Sequence, residues 1–196
     1  MSAAAFDLRR VVVFVALLNL SYFGVEFSVA LAIGSVSLFA DSVDFLEDAS
    51  LNALVLIGLS WPASRRKALG IAMAAILLVP AAATLWTAVQ KLTLPMAPAA
   101  VPLTVTGAGA LLANFICAAM LMRFRHQGGS LSLAAFLSAR NDVLANVAII
   151  LAGLVTAYRL SPWPDLVVGL GIALVNADSA REVFQAARNE RDEAVP

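Results

Sequence analysis

The stretch Phe39–Asn52, FADSVDFLEDASLN, decides how the rest of the chain is interpreted. It places four acidic residues inside a segment that otherwise has the composition of a membrane-spanning helix. At about 100° per residue, one helical stripe collects four polar side chains: Asp41, Asp44, Asp48 and Asn52. The fourth acid, Glu47, points away from this stripe. Because a carboxylate in hydrocarbon is costly, three on one face predict that this face meets water, a cation or a buried partner.

The overall composition is that of an integral membrane protein. Of the 196 residues, 61% are hydrophobic and only 13% are charged, and the mean hydropathy is +0.88. A soluble domain has nearer a quarter of its residues charged. The single cysteine, Cys117, excludes an internal disulfide and a cysteine-rich metal site, and its apolar surroundings predict a small core residue. The sequence contains no glycine-rich phosphate loop, so we expect an ion gradient or the substrate's own gradient to supply any coupled energy.

Six apolar segments each approach the ~20 residues that cross a bilayer. They run from about Val11 to Gly34, Leu38 to Trp61, Ala68 to Val89, Val101 to Met122, Leu131 to Thr156 and Leu166 to Ala187. This pattern predicts an all-α membrane protein with six transmembrane helices. We expect residues 1–190 to form one transmembrane domain, followed by a short polar tail at 191–196 and no soluble domain.

The basic residues set the orientation of these spans. One side of the predicted bundle has ten of them: Arg9, Arg10, Arg65, Arg66, Lys67, Arg123, Arg125, Arg181, Arg188 and Arg191. The other side has only Lys91 and Arg159, while Arg140 lies within a span. Because basic loops stay in the cytoplasm, this bias predicts that both termini are cytoplasmic. We expect a multi-pass protein of the inner (plasma) membrane, with the lipid bilayer and no nucleic acid as a partner.

The fifth span carries polar residues that match those of the second. Asp48 and Asp142 each lie about ten or eleven residues from the end of their span, so both reach about the middle of the bilayer, ~15 Å deep. Ser138, Asp142 and Asn146 recur at i, i+4 and i+8, within about 80° of arc, and Asn141 flanks them. Two helices are therefore predicted to present oxygen ligands at matching depth.

This set of oxygens suits a divalent cation. Asp44 and Asp48, one turn apart, can each offer an oxygen to one ion, and Asp142 can supply a third from the facing helix. Clustered carboxylates also bind protons, and this competition is the physical basis of a proton/metal antiporter. Weaker candidates for the same site are Asp41, Asn141, Asn146, Asn19 and Glu26. The alternatives for them are interhelical hydrogen bonding, guidance of cations at the outer mouth for Glu26, and a helix cap for Asp41.

Two motifs resemble the cation diffusion facilitator family. The first is Asn19-x-x-Tyr22-x-x-x-Glu26 followed by Gly34-Ser35-x-Ser37-Leu38-x-Ala40-Asp41-Ser42-x-Asp44-x-x-x-Asp48, and the second is Asn141-Asp142-Val143-x-x-Asn146-x-x-Ile149. Together with the six spans, the resemblance covers essentially the whole chain. It implies export of zinc, cadmium, cobalt, iron or manganese in exchange for protons. The metal is then the transported substrate, and no resident cofactor is expected.

The resemblance also implies a four-ligand transport site made of Asp44, Asp48, Ser138 and Asp142. Ser138 stands where the family commonly has His or Asp, so Asn141, Asn146 or water are alternatives for the fourth ligand. The family's cytoplasmic C-terminal domain, which commonly supports dimerisation, has no counterpart in this sequence. We therefore expect a short form of the family, with a homodimer implied by the resemblance alone.

Two other functions are compatible with a buried acidic cluster. One is a membrane-embedded, metal-dependent enzyme such as a CDP-alcohol phosphotransferase, whose motif also ends in D-x-x-x-D. That motif needs an upstream D-G-x-x-A-R and a glycine four residues before its first Asp, where this chain has Ala40. We therefore expect a transporter and not an enzyme. The other is a non-transporting subunit of a membrane complex. This alternative predicts that Asp-to-Asn changes damage assembly of the complex rather than metal flux.

Overall fold

The computed structural model describes residues 3–58, 82, 84–93, 96–123 and 129–189. Every regular element in these ranges is a helix: α1 (Ala3–Ile33), α2 (Val36–Gly58), α3 (84–93), α4 (Ala100–Met122), α5 (Gly129–Arg159) and α6 (Trp163–Asn189). The prediction of an all-α membrane protein is confirmed, and the helix bounds follow the predicted spans closely. Most of the third predicted span, as well as the tail at 191–196, lies outside the described residues.

The described helices differ in how they meet the membrane. Three stretches are long and apolar enough to cross it: Arg9–Ile33, Ala100–Met122 and Asn141–Arg159, while α6 contributes the shorter apolar stretch Trp163–Val175. Helix α2 has the length to span but carries four acids. It contacts α1, α4, α5 and α6, which makes it the central helix of the described bundle. Its acidic side chains are therefore covered by protein instead of lipid, as polar groups at membrane depth require.

A tight turn joins α1 to α2 and fixes where α2 begins. Gly34 has a φ of +64°, in the left-handed region that glycine adopts without strain. Ser35 then caps α2, since its Oγ accepts the backbone N–H three residues further on, at 3.2 Å. Asp165, in the first turn of α6, accepts the backbone N–H groups of Val36 and Ser37 at 2.9 and 3.2 Å. One carboxylate thus satisfies two of the otherwise unpaired donors at the start of another helix.

The same carboxylate gathers three further donors. The hydroxyls of Ser35 and Ser37 each donate to Asp165 Oδ1 at 2.6 Å, and Lys91 Nζ, from α3, donates to Oδ2 at 2.9 Å and also to the carbonyl of Gly34. Burial alone would raise the pKa of Asp165, but the Lys91 charge and the two hydroxyls hold this pKa below its ordinary value. We call Ser35, Ser37, Lys91 and Asp165 the outer clamp.

The outer clamp supports the predicted topology. It joins the α1–α2 turn, the last turns of α3 and the start of α6, three places that the positive-inside bias assigns to the same, outer side. The apolar residues beside it continue this contact, because Val36, Ala88 and Leu166 form one buried cluster from the same three helices. The outer end of the described bundle is therefore held by both charge and apolar packing.

Helices α4 and α5 pack closely and support the site-bearing face of α5. A Cβ added at Gly153 of α5 would lie 2.3 Å from Thr104 Oγ1 of α4, so the helices approach more closely there than a side chain permits. Small residues commonly allow such approach in membranes. Ile149 and Leu103 join the buried cluster formed with Leu38 and Phe39 of α2. This packing holds α5 against α2 on the outer side of Asp48 and Asp142.

Candidate metal transport site

Three carboxylates from α2 and α5 meet in the interior of the bundle. Asp44 and Asp48 of α2 and Asp142 of α5 lie close enough for their negative charges to act on one another. Asp48 is only 6% exposed, and the Asp48 and Asp142 carboxyl groups are within hydrogen-bonding reach. We call these three residues the acidic cluster. Among the described residues, no group of three or more Asp, Glu, His or Cys side chains is placed so that it could hold a metal ion together.

The other residues predicted around this cluster differ in how deeply they are buried. Ser138 lies one helical turn before Asp142 in α5, but its side chain lies outside the described residues. Asn141 is exposed, whereas Asn146 is fully buried. Glu47 is partly buried, and its charge acts on Asp142 although periodicity turns it away from the acidic stripe. Ser138 as the fourth ligand therefore stays a prediction.

Asn19 connects α1 to the acidic cluster. It is fully buried, and its Nδ2 donates to Asp48 Oδ2 at 3.4 Å. Its Oδ1 in turn accepts a hydrogen bond from Cys117 Sγ of α4 at 3.3 Å. Hydrogen bonds of this kind orient a ligating carboxylate. Cys117 is buried as predicted, but its link to Asp48 through Asn19 was not foreseen.

A second polar group lies one turn further out along α2. Asn114 Nδ2 of α4 donates to Asn146 Oδ1 of α5 at 3.0 Å, and Asn146 Nδ2 donates to Asp41 Oδ2. Glu26 of α1 faces Asp41 within hydrogen-bonding reach. Four helices therefore converge here, with all four side chains buried. The sequence interpretation missed Asn114, although it is the one amide side chain in the predicted span from Val101 to Met122.

The cap suggested for Asp41 is wrong. Helix α2 begins at Val36, so Asp41 lies in its second turn, and Ser35 and Asp165 provide the caps. Asn52, at the cytoplasmic end of the stripe, turns back to donate to the carbonyl of Asp48 at 2.7 Å. The acidic stripe thus has an inner part, where Asp48 lies within hydrogen-bonding reach of Asp142, and an outer part, where Asp41 lies within hydrogen-bonding reach of Glu26. The charges of the two parts act on one another.

Tyr22, which lies between Asn19 and Glu26 in the α1 motif, belongs to helix packing. Its hydroxyl donates to the carbonyl of Thr106 in α4 at 2.7 Å, and its ring lies 5.0 Å from that of Phe45. A Cβ on Gly109 would lie 2.1 Å from the Tyr22 hydroxyl, so this contact needs a glycine on α4. Tyr22 therefore fixes α1 against α4 at a level between Asn19 and Glu26.

Comparison with known families decides the class of protein. Residues 12–189 match the family model described as the cation efflux transmembrane domain. The chain belongs to this cation efflux family. The match confirms the resemblance read from the motifs, and it identifies a transporter family where an enzyme had been an alternative. A comparison with curated proteins found no match to the chain.

Proposed function

We propose that this cation efflux protein exports divalent metal cations across the inner membrane in exchange for protons. The metal would be held by Asp44, Asp48 and Asp142, with Ser138 as the fourth ligand. The observation that carries the proposal is the meeting of carboxylates from two different helices, α2 and α5, inside a bundle of apolar helices. Buried acids in a membrane protein mark an ion pathway more often than a structural contact.

The charges of the acidic cluster explain how one site can serve two cations. Without a cation, Asp44, Asp48 and Asp142 repel one another across the α2–α5 contact. A divalent ion removes this repulsion and draws the carboxylates together, whereas protons neutralise them one at a time. The same oxygens therefore hold metal or protons but not both. In an alternating-access cycle, metal loads from the cytoplasm and protons replace it from outside.

The ligand chemistry supports a broad class of metal substrates. The oxygens of the acidic cluster and of Ser138 are hard ligands, which suit manganese, iron and cobalt and also accept zinc and cadmium. Cys117, the one thiol in the sequence, is linked to the cluster through its hydrogen bond to Asn19. We therefore propose that sulfur does not coordinate the transported ion directly.

Metal flux into proteoliposomes tests the proposal. Purified protein is reconstituted, a pH gradient is imposed, and uptake of zinc, cadmium, cobalt, manganese and iron is measured in turn. Asp48→Asn removes one charge from the acidic cluster, while the matched control Asp178→Asn removes an exposed acid of α6. We expect gradient-dependent flux in the wild type and the control, and none with Asp48→Asn. Wild-type protein that is folded but moves no metal would contradict the proposal and favour a non-transporting subunit.

A further inference from the structure

We propose that Glu26 and Asp41 form a second metal-ion site, separate from the acidic cluster and one helical turn nearer the outer side. We call these two residues the outer carboxylate pair. Asp41 precedes Asp44 by three residues, which corresponds to a rise of about 4.5 Å along α2. The acidic cluster takes its residues from α2 and α5, whereas the pair takes one residue from α1 and one from α2. Its role in transport rests on the proposed function, but its binding of metal does not.

Three oxygens of the outer carboxylate pair accept no hydrogen bond from the described residues. Glu26 and Asp41 both have 0% exposure. Glu26 Oε1, Glu26 Oε2 and Asp41 Oδ1 are buried and have no hydrogen-bond partner among the described residues. The two carboxyl groups face each other, but ionised carboxylates offer only acceptors and cannot satisfy one another. Buried charges without partners are strongly unfavourable, so the pair needs a positive charge between its oxygens, either a metal ion or a proton.

The surrounding amides orient the pair towards a common point. Asn146 donates to Asp41 Oδ2, which leaves Oδ1 as the oxygen available on the side of Glu26. Asn114 donates to Asn146 Oδ1 and so fixes which end of that amide faces Asp41. A chain of two amides from α4 and α5 thus holds the carboxylate in place. Such supporting hydrogen bonds are a usual feature of metal sites.

The number of available oxygens favours a metal over a proton. One proton shared between the two carboxyl groups would join one Glu26 oxygen to Asp41 Oδ1 by a hydrogen bond. The other Glu26 oxygen would still have no partner. A divalent ion can contact all three, with water filling its remaining positions. All three oxygens are hard ligands, so the site would suit an ion such as Mn²⁺.

The position of the outer carboxylate pair indicates what the second site does. An ion that leaves the acidic cluster towards the outside passes the level of Asp41 next, because α2 runs outwards from Asp48 to Val36. Two divalent ions one turn apart repel each other, so an ion arriving at the inner cluster promotes release from the outer pair. Repulsion between ions at closely spaced sites allows each ion to be released even when each site binds it tightly.

Mn²⁺ binding to the purified protein tests this site without any transport. Free Mn²⁺ is quantified from its electron paramagnetic resonance signal in titrations of the Asp48→Asn variant, whose acidic cluster is disabled. We expect this variant to retain one bound ion per chain, and Glu26→Gln in the same background to weaken that binding at least about tenfold. Asn146→Ala, which removes only the orienting amide, should weaken it about 10- to 100-fold. Asp178→Asn in the same background is the control for loss of a carboxylate, and size-exclusion profiles establish that each variant is folded.

Three results would overturn the second site. Unchanged Mn²⁺ binding after Glu26→Gln in the Asp48→Asn background would remove the pair as a ligand. Binding that is already absent in folded Asp48→Asn would mean that the chain has a single site. A change confined to the number of protons released per metal bound would assign the pair to protons and equally overturn the proposal. None of these results bears on whether Asp48→Asn abolishes flux, so failure of the proposed function is recognised separately.

Discussion

The outer clamp provides the most direct test of what holds the described bundle together. Asp165→Asn keeps the shape of the side chain but removes its charge. Lys91, whose side chain is 8% exposed, then loses its charged partner at 2.9 Å. In the wild type, two hydroxyls and two backbone N–H groups donate to Asp165. The NH₂ group of the new amide would face one of these donors and could not accept its hydrogen bond. Breaking one side of a buried ion pair typically costs about 3–5 kcal/mol, and we expect a loss of unfolding free energy in that range.

The assay is equilibrium unfolding in mixed micelles, followed by helix content. Asp178→Asn, which removes an exposed acid of α6, should change the unfolding free energy by less than about 0.5 kcal/mol. Combining Asp165→Asn with Lys91→Met removes the unpaired cation, so the double variant should recover much of the loss. A loss below about 1 kcal/mol for Asp165→Asn would mean that the pair behaves as a solvated surface ion pair, and the outer clamp would be refuted.

Three further predictions concern pH, packing and metal affinity. Because the pKa of Asp165 is lowered by folding, its contribution to stability is present above the unfolded pKa of about 3.9 and is lost as the pH falls through the folded pKa. The stability difference between wild type and Asp165→Asn should therefore shrink in acid, and a constant difference from pH 6 to pH 2 would contradict this. Gly169→Ala would place a Cβ 2.6 Å from the backbone of α2 and should cost about 1–3 kcal/mol in the unfolding assay, whereas Gly171→Ala enters open space and should be tolerated. Asn19→Ala should weaken metal affinity about 10- to 100-fold in a binding titration, and Cys117→Ser, which keeps a donor to Asn19, should retain affinity; the reverse order would show that the thiol itself binds the metal.

The helices and the depth of the acidic residues could be predicted from the sequence. Hydropathy alone located the described helices α1, α2, α4, α5 and α6, because a bilayer demands about 20 apolar residues per span, whatever the tertiary contacts. The common depth of Asp48 and Asp142 followed from counting residues along two helices. Their meeting in the structure then required only that α2 and α5 be neighbours.

The division of the acidic stripe could not be predicted in the same way. Periodicity places Asp41 and Asp44 on one face of α2, but which helix each one meets depends on the angles at which the helices cross. In the structure Asp41 meets Glu26 and Asn146. Asp48 meets Asp142 of α5 and also accepts a hydrogen bond from Asn19 of α1. No local pattern in the sequence specifies those angles.

The outer clamp could not be predicted from the sequence for a related reason. Ser35, Lys91 and Asp165 are far apart in the chain, and each has an ordinary local role as a cap, an interfacial cation or a first-turn acid. The sequence predicts Lys91 as one of the few basic residues on the outer side, which is consistent with its place beside Asp165. Its burial in an ion pair depends on the packing of α3 against α2 and α6, which only the assembled bundle supplies.

Proton movement driven by metal tests the central claim most directly, because that claim assigns metal and protons to the same carboxylates. Proteoliposomes containing a pH-sensitive dye are exposed to external metal, and metal uptake and luminal pH are followed together. We predict that uptake by wild type and Asp178→Asn is accompanied by a rise in luminal pH, and that Asp142→Asn abolishes both signals. Metal uptake without proton movement, or undiminished exchange in folded Asp142→Asn, would contradict the account.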